Sequence, residues 1–225
     1  MAIRTLDLVV ATIAFAVFLP VMAIVALLIW LESPRSEVIY KGTRIGRFAK
    51  PFTLYKFRTM VQDASRIGPA VTTSDDPRIT RLGRVLRRTK LDELLSLWNV
   101  LKGEMSLVGP RPENEQSFAL YTAEQRAVVD VRPGITSLAT IKYRNEEQLL
   151  AGAVNLDAVY YEVMQDKLYI ELEYLKRRNL LSDVGVLLST VLVIANSDTS
   201  QWVLSWFGMN STTATIANPR LSSGK

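Results

Sequence analysis

Two adjacent carboxylates, Asp92 and Glu93, lie in a stretch of the chain that is rich in arginine. The arginines flank the pair on both sides, at Arg87, Arg88 and Arg111. Mg²⁺ takes oxygen ligands, and proteins usually bind it through one or two carboxylates together with the phosphates of a substrate. Guanidinium groups hold phosphate oxygens through paired hydrogen bonds. These residue types therefore suit a phosphorylated substrate and a hard metal ion.

The same two carboxylates also have a purely structural interpretation. Leu91, Leu94, Leu95 and Trp98 follow helical spacing, which predicts an amphipathic helix with these four side chains as its buried stripe. Adjacent acids on such a helix commonly form a solvated face and pair with nearby lysine or arginine. Short motifs are weak signals, so spacing alone favours the structural interpretation.

The composition removes several kinds of chemistry. The 225 residues contain no histidine and no cysteine, which excludes thiol nucleophiles, disulfides, Cys/His zinc sites and histidine general bases. The length suits one domain of ordinary size with an accessory segment. With 27 basic and 22 acidic residues, the net charge of +5 suits an anionic membrane surface, a nucleotide substrate or a nucleic acid.

The accessory segment is apolar and precedes the arginine-rich stretch. Residues 8–31 carry no charge, and a helix of this length would reach about 36 Å, enough to cross a hydrocarbon core of about 30 Å. The run is too long for a signal peptide and has no cleavage site before Glu32. Pro20 at its middle predicts a bend, so the helix could enter and leave the membrane by one face. The basic residues that follow place the downstream end in the cytoplasm, at Lys41, Arg44, Arg47 and Lys50.

The elements between this segment and the carboxylates are short. Residues 37–57 alternate β-branched or aromatic side chains with basic ones, which predicts a hairpin close to the membrane. Residues 65–76 have the composition of a loop. Residues 78–88 predict an amphipathic helix with a basic face, suited to a membrane interface. A nucleic-acid-binding helix would look similar, but the membrane segment and the lack of a nucleic-acid fold signature disfavour it.

Downstream of the carboxylates the chain is predicted to be mostly helical. The sequence predicts a helix over residues 122–131, then a strand over 138–143 and a helix capped by Asn145. A surface helix with a Lys167–Glu171 pair is predicted over residues 166–178, and an interfacial helix is predicted over 180–195. Lys102 and Glu104, on a turn that contains glycine, are predicted to be structural.

Three blocks in this order closely resemble the bacterial sugar transferase family, the monotopic phosphoglycosyl transferases. They are FTLYKFRTM at residues 52–60, LRRTKLDELLSLWNVLKGEMSLVGPRP at 86–112 and RPGIT at 132–136. The likeness covers most of residues 1–195. It implies transfer of a phosphosugar from a UDP-sugar to polyprenyl (undecaprenyl) phosphate with release of UMP. It also implies a place on the cytoplasmic face of the bacterial inner membrane, at the first membrane step of exopolysaccharide, O-antigen or glycoprotein assembly.

The resemblance assigns roles to individual residues. It makes Asp92 the nucleophile of a phosphoaspartyl intermediate and Glu93 a metal-associated acid, and both are expected to bind Mg²⁺ or Mn²⁺. The expected phosphate-binding residues are Arg58, Arg87, Arg88 and Arg111. The expected structural turns are at Pro20, Pro110 and Pro112, of which the last two restrict the backbone of Arg111. In the family a serine often precedes the proline of the membrane helix, whereas this chain has Leu19.

The predicted fold is α+β and membrane-associated. A re-entrant membrane helix spans residues 1–32, and a small, mostly helical catalytic domain with a short β-hairpin and interfacial amphipathic helices spans 33–197. A partly disordered tail spans 198–225. The expected partners are a UDP-sugar, polyprenyl phosphate and membrane lipids but no nucleic acid, and a homodimer is compatible with the sequence. Two alternatives are a membrane-anchored scaffold that binds lipid phosphates without turnover and a glycosyltransferase that releases UDP.

Overall fold

The computed structural model describes residues 1–68, 71–195 and 200–208, and it mixes α-helices with short strands as the sequence predicts. The α-helices are α1 (Ala2–Glu32), α2 (Ala64–Ile67), α3 (Arg81–Thr89), α4 (Ser96–Lys102), α5 (Glu115–Ala119), α6 (Leu138–Lys142), α7 (Glu146–Ala151), α8 (Leu156–Arg177), α9 (Leu180–Ala195) and α10 (Ser200–Trp206). The strands are β1 (Ile39–Ile45), β2 (Pro51–Phe57), β3 (Ser106–Val108) and β4 (Gly134–Thr136). Short 3₁₀ helices span Arg47–Ala49, Leu91–Leu95 and Gln125–Asp130.

Strands β1 and β2 form the antiparallel hairpin predicted over residues 37–57. Ile39 pairs with Phe57, and Ile45 pairs with Pro51. Leu54 of β2 is buried in a core that α1, α4 and β3 complete. Alternate residues of a strand point to one face, so Lys56 extends from the same side of β2 as Leu54. The hairpin therefore carries a lysine toward the domain.

Strands β3 and β4 are parallel and three residues long, with Ser106 opposite Gly134. Just beyond β3, Gly109 N donates to Thr136 O at 3.0 Å, and Gly134 N donates to Pro110 O at 2.9 Å. A Cβ atom on Gly134 would lie 2.2 Å from Gly109 N, so no larger residue fits at this contact. The contact fastens residues 109–112 to residues 132–136.

Helix α1 packs against the rest of the domain near both of its ends. At its start, Arg4 Nη2 donates to a backbone carbonyl of α4 at 2.9 Å, and Asp7 Oδ1 accepts from a backbone N–H of β3 at 2.9 Å. At its end, Glu32 Oε1 accepts from a backbone N–H of α3 at 3.1 Å. Buried side chains lie between these contacts, at Ala11, Met22, Val25 and Ile29.

The outward face of α1 is apolar and exposed, with side chains that include Val9, Ile13, Val17, Ile24 and Leu27. Among the residues that the structure describes, α1 is the one helix whose length and composition would allow it to cross a membrane. The helix continues through Pro20, which is exposed. The prediction of an apolar amino-terminal membrane helix is confirmed in length and composition.

Helices α6, α8, α9 and α10 share the largest hydrophobic core. Its buried members include Leu138, Val163, Ile170, Val186 and Val203. Val203 comes from α10, so part of the segment predicted as a tail packs onto the domain. The rest of that predicted tail, residues 198–199 and 209–225, lies outside the described residues.

The predicted strand over residues 138–143 is wrong, because this segment forms helix α6. Ser137 is its N-cap, and the Ser137 hydroxyl accepts from Thr140 N at 3.0 Å. Such a cap satisfies an otherwise unpaired amide and favours the start of a helix. The β-branched residues alone misled the prediction, since the buried positions Leu138, Ala139 and Ile141 follow helical spacing.

Other helix predictions were right in kind and wrong in extent. The capping box at Thr122–Gln125, which opens the helix predicted over residues 122–131, is confirmed, since Thr122 N donates to Gln125 Oε1 at 2.9 Å, but a 3₁₀ helix follows it. The helix over 166–178 begins ten residues earlier, where Asn155 caps it, and one of its faces is buried. Lys167 donates to Glu146 Oε2 at 2.6 Å rather than to Glu171. The predicted loop over 65–76 includes most of α2, and Asn145 makes no side-chain cap.

Helix α9 spans the predicted residues, and its two faces differ in exposure. Val186 and Val193 are buried, and Asp183 accepts from Tyr174 Oη at 2.6 Å and from Arg178 Nη2 at 2.9 Å. The opposite face exposes apolar side chains at Leu181, Leu188, Val191, Leu192 and Ile194. The prediction that residues 180–195 form an interfacial helix refers to this exposed face.

Candidate active site

Asp92 and Glu93 lie on the 3₁₀ helix Leu91–Leu95, between α3 and α4. Lys90 ends α3 with φ +59°, a left-handed conformation that is uncommon for a residue other than glycine, and it turns the chain sharply before the carboxylates. A 3₁₀ helix has three residues per turn, so adjacent side chains point about 120° apart. Asp92 is consequently only 7% exposed, whereas Glu93 faces an open cleft.

The predicted solvated face is therefore wrong for this segment. Residues 91–95 wind more tightly than an α-helix, so the side chains that follow them point in different directions from those predicted. As a result α4 buries Leu97 and Val100. Trp98, predicted to be buried, is 48% exposed and lies 6.2 Å from the ring of Phe15 on α1.

Two cations hold Glu93. Lys56 Nζ donates to Glu93 Oε1 at 2.7 Å, and Arg111 Nη2 donates to the same oxygen at 2.8 Å. Burial would raise the pKa of Glu93, but Arg111 and Lys56 outweigh it and hold the pKa well below the usual range. Glu93 in turn raises the pKa of Arg111, while burial lowers the pKa of Lys56. Glu93 is therefore a carboxylate that remains ionised in the folded protein.

Asp92 has the opposite environment. Its Oδ1 atom is buried and has no hydrogen-bond partner among the described residues. Burial raises the pKa of Asp92, and the negative charge of Glu93 adds to the effect; Lys56, Lys90 and Arg87 oppose it. The two neighbouring carboxyl groups thus have pKa values shifted in opposite directions, an arrangement typical of paired groups with different tasks.

The position of Arg111 follows from the glycine contact described above. Pro110 and Pro112 restrict the backbone on either side of it, and the hydrogen bonds to β4 fix residues 109–112 against the domain. The side chain of Arg111 remains 38% exposed while its guanidinium group contacts Glu93. Because arginine has five N–H donors, Arg111 can hold Glu93 and an anion at the same time.

The position of Lys56 depends on Asn99, which is completely buried. Asn99 Nδ2 donates to Thr53 O at 2.7 Å and to Glu104 Oε2 at 2.7 Å. Asn99 Oδ1 accepts from Tyr55 N at 3.1 Å. The bonds to Thr53 and Tyr55 join α4 to β2 and so fix the position of Lys56 on β2 relative to Glu93, which precedes α4. Lys102 donates to Glu104 at 2.7 Å, which confirms the structural role predicted for both residues.

Three clefts meet at Arg111. One of about 390 Å³ includes Lys56 and Glu93, one of about 280 Å³ includes Phe118 and Pro133, and one of about 740 Å³ extends to α8. Asp92 lines none of them. Arg111 therefore lies where a ligand that occupies more than one cleft would pass.

The structure brings some of the predicted phosphate-binding residues together and separates others. The charge of Arg87 acts on Asp92 and opposes the rise of its pKa. The Nη1 atom of Arg87 is 3.6 Å from Glu147. Arg88 is exposed on α3. Arg58 lines none of the three clefts. Burial lowers the pKa of Arg58, and the charges of Glu32 and Glu37, near the end of α1, act to raise it.

Sequence reasoning missed Lys56 and Asn99. The signal for Lys56 was present, since a lysine on the core-facing side of a strand requires a buried anionic partner. Asn99 gave no comparable signal, because a polar residue in a short amphipathic helix is usually exposed.

Asp92 and Glu93 have the donor chemistry for a divalent cation. Both offer carboxylate oxygens, Asp92 Oδ1 is unpartnered, and both cations on Glu93 contact Oε1 rather than Oε2. Within the described ranges, no group of three or more acidic side chains could hold a metal ion by itself. A bound Mg²⁺ would therefore take further ligands from a substrate phosphate or water.

Comparison with known proteins shows which family the chain resembles. The family model described as bacterial sugar transferase matches residues 1–197. A UDP-glucose:undecaprenyl-phosphate glucose-1-phosphate transferase of Caulobacter vibrioides is 36% identical over 200 residues, which cover 87% of this chain and 70% of that protein. A UDP-galactose-lipid carrier transferase of Erwinia amylovora is 34% identical over 210 residues, which cover 87% of this chain and 40% of that protein.

A Bacillus subtilis relative is 48% identical over a shorter stretch of 110 residues, which cover 49% of this chain and 61% of the relative. The chain thus spans less than two thirds of the length of two of these three proteins.

Proposed function

Because this chain belongs to the bacterial sugar transferase family, we propose that it transfers a sugar 1-phosphate from a UDP-sugar to undecaprenyl phosphate and releases UMP. The relatives from Caulobacter and Erwinia carry names that describe sugar transfer from UDP-glucose or UDP-galactose to a lipid carrier. Moving the sugar together with its phosphate leaves UMP as the other product. The lipid diphosphate sugar would then begin the assembly of a bacterial glycan.

The observation that carries this proposal is the unequal environment of the two carboxylates. Glu93 is ionised, and its Oε1 atom is held by Lys56 and Arg111. Asp92 has an oxygen without a partner and a raised pKa, which makes it the more basic of the two groups. Since the chain has no cysteine or histidine, Asp92 is well suited to be the nucleophile of a covalent intermediate.

The reaction would proceed in two displacements. An oxygen of Asp92 forms a bond to the phosphorus that carries the sugar, the bond from that phosphorus to the bridging oxygen breaks, and UMP leaves. A phosphate oxygen of undecaprenyl phosphate then attacks the same phosphorus, forms the lipid diphosphate and frees the carboxylate of Asp92. Because Asp92 is buried outside the clefts, the first step requires the side chain to move toward Arg111 or the substrate to open a path to it.

The cations of the site would serve the phosphates. Arg111 has free donors at the junction of the three clefts, so it would hold the diphosphate, and Arg87 would add positive charge from α3. Asp92 and Glu93 would hold Mg²⁺ or Mn²⁺, which neutralises phosphate charge when it is bound. We therefore expect a chelator to abolish turnover and added Mg²⁺ to restore it; full turnover in excess EDTA would contradict the metal requirement.

Product analysis tests the proposed reaction against its alternatives. The purified 225-residue chain in nanodiscs with undecaprenyl phosphate and a panel of UDP-sugars should release UMP from at least one sugar donor. Release of UDP would instead assign a glycosyltransferase that moves only the sugar. If neither nucleotide is released, a non-catalytic scaffold that binds lipid phosphates becomes the better account.

We further propose that α1 is re-entrant and that the domain lies on the cytoplasmic face of the inner membrane. Both ends of α1 contact the same domain, through Arg4 and Asp7 at one end and Glu32 at the other. A straight spanning helix would place these ends on opposite sides of the bilayer. The exposed apolar face of α1 would contact lipid, and the basic residues after the helix favour the cytoplasmic side.

A further inference from the structure

The cleft of about 740 Å³ extends well beyond the groups that would hold phosphates. It has Lys90 and Arg111 at one end and reaches Tyr143, Lys167 and Glu171 at the other. None of the roles assigned so far uses its far wall.

Glu171 is the most unusual residue of that wall. It is 3% exposed, and neither of its carboxylate oxygens has a hydrogen-bond partner among the described residues. Lys167, one turn earlier on α8, donates to Glu146 at 2.6 Å, and the nearby Ser137 hydroxyl donates to Thr140 Oγ1 at 3.0 Å. Burial raises the pKa of Glu171 to about 7, although Ser137, Lys167 and Arg178 act to lower it.

A carboxylate in this condition is costly to the fold. Buried polar groups in native proteins are normally hydrogen-bonded, and each exception calls for a physical reason. A structural role would leave Glu171 paired with the cations near it, as Lys142 is paired with Asp166 at 2.7 Å. Glu171 instead lines a cleft, and its two unused acceptors are buried just beneath the wall of that cleft.

Arg144 adds an unpaired donor to the same cleft. Its Nη1 atom is buried without a partner among the described residues, while its Nη2 atom donates to Ile194 O at 3.3 Å. The ring of Tyr143 lies on the same wall. A ligand that offers several hydroxyl groups on a compact ring would satisfy both the acceptors of Glu171 and the donor of Arg144.

We propose that this cleft holds the sugar ring of the nucleotide-sugar donor and that Glu171 selects among sugars by accepting hydrogen bonds from their hydroxyl or acylamino groups. The inference rests on the proposed function, because Arg111 at the near end would hold the diphosphate to which the sugar is attached. A site built to receive hydrogen bonds discriminates strongly against a ligand that lacks them, since its buried groups then stay unpaired.

The test compares two glutamates of α8. Glu171→Gln keeps the size of the side chain but removes one acceptor and the charge, and Glu162→Gln makes the same change at an exposed position of the same helix. The rate of UMP release is measured as kcat/KM across a panel of UDP-hexoses and UDP-N-acetylhexosamines. For Glu171→Gln we expect kcat/KM with the best donor to fall roughly tenfold to a hundredfold and the preference among donors to flatten. Glu162→Gln should match the wild type.

A second variant separates this role from a structural one. Glu171→Leu removes an uncompensated buried carboxylate, so its melting temperature should equal or exceed that of the wild type, and UDP should inhibit it as strongly as the wild type. Its sugar preference should be lost. Lower melting temperatures and weaker UDP inhibition in both Glu171 variants would show a structural role and overturn the inference.

The outcomes distinguish this inference from the proposed function. If the wild type releases UMP and Glu171→Gln keeps the wild-type preference among sugars, the sugar site is contradicted and the reaction stands. If the wild type acts on no UDP-sugar and binds UDP-sugars no more tightly than UDP, the proposed function fails and the sugar site fails with it.

Discussion

At the scale of single residues, neighbours in sequence have acquired different chemistry through their partners. Asp92 and Glu93 are chemically similar, yet Glu93 accepts from two cations while Asp92 Oδ1 is buried alone. The side chains point apart because a 3₁₀ helix carries them. The sequence identifies the two acids but not this division, because the cations come from β2 and from the segment after β3.

The first prediction concerns the covalent intermediate. Asp92→Asn removes the attacking oxygen anion and keeps nearly the same shape, so turnover should fall by several orders of magnitude while affinity for UDP stays close to that of the wild type. Wild-type protein incubated with labelled UDP-sugar and no lipid should retain label on Asp92 and release an equal amount of UMP, as measured by mass spectrometry. Glu93→Gln should instead reduce the rate and weaken its dependence on Mg²⁺.

The outcome that favours another mechanism is also specific. If no adduct is trapped and UMP appears only when both substrates are present, direct attack by the lipid phosphate accounts for the reaction better. Asp92 would then act as a metal ligand or a base.

The second prediction concerns pH. Asp92 must be ionised to attack, and burial raises its pKa above the ordinary value of 3.8, so kcat/KM should fall on the acid side with a midpoint above that value. The charge of Lys56 lowers this pKa. Lys56→Gln should therefore move the acid limb to higher pH in addition to lowering the rate. An acid limb that stays in place in Lys56→Gln would argue against Asp92 as the titrating group.

At the scale of elements, periodicity identified α3, α9 and the β1–β2 hairpin, where local pattern and tertiary packing agree. It failed for α6, whose β-branched residues suggest a strand although Ser137 caps a helix. It also failed for residues 91–98, because the change from 3₁₀ to α winding alters which side chains are buried. The motifs of residues 109–112 and 132–136 gave no hint in sequence that two glycines bring them into contact.

The third prediction tests the junction between α4 and β2. Asn99→Ala removes three buried hydrogen bonds and leaves backbone groups of β2 unpaired, so it should destabilise the protein by about 2–4 kcal/mol. It should also lower activity, because Lys56 and Glu93 lose their common support. Asn155→Ala, which removes only the cap of α8, serves as the matched control and should cost about 1 kcal/mol. Chemical denaturation in detergent measures both, and equal effects would contradict the role of Asn99.

At the scale of the whole molecule, the apolar surfaces of α1 and α9 are exposed while the polar clefts lie around Arg111. An exposed apolar surface of this kind marks a membrane or protein contact. Composition alone predicted the membrane helix, since a long uncharged apolar run is typical of a segment that enters the hydrocarbon core. It could not show that both ends of α1 bind the domain, because those contacts depend on α3, α4 and β3.

The last prediction concerns the topology of α1, and the absence of cysteine makes it direct to test. Single cysteines introduced as Ala2→Cys and Ser36→Cys lie at the two ends of the helix, and both should react with an impermeant maleimide only after the inner membrane is permeabilised. Pro20→Leu restores one backbone hydrogen bond, worth about 1 kcal/mol, and removes a steric clash, so it should favour a straight span and increase the reaction of Ala2→Cys from the periplasm.

Periplasmic labelling of Ala2→Cys without the Pro20 change would mean that α1 crosses the bilayer. In that case the contacts of Asp7 with β3 could not form in the membrane, and removing them by Asp7→Ala should leave activity unchanged. If α1 is re-entrant, Asp7→Ala should instead lower activity and stability together, because the start of the helix is then attached to the strand that leads to Arg111.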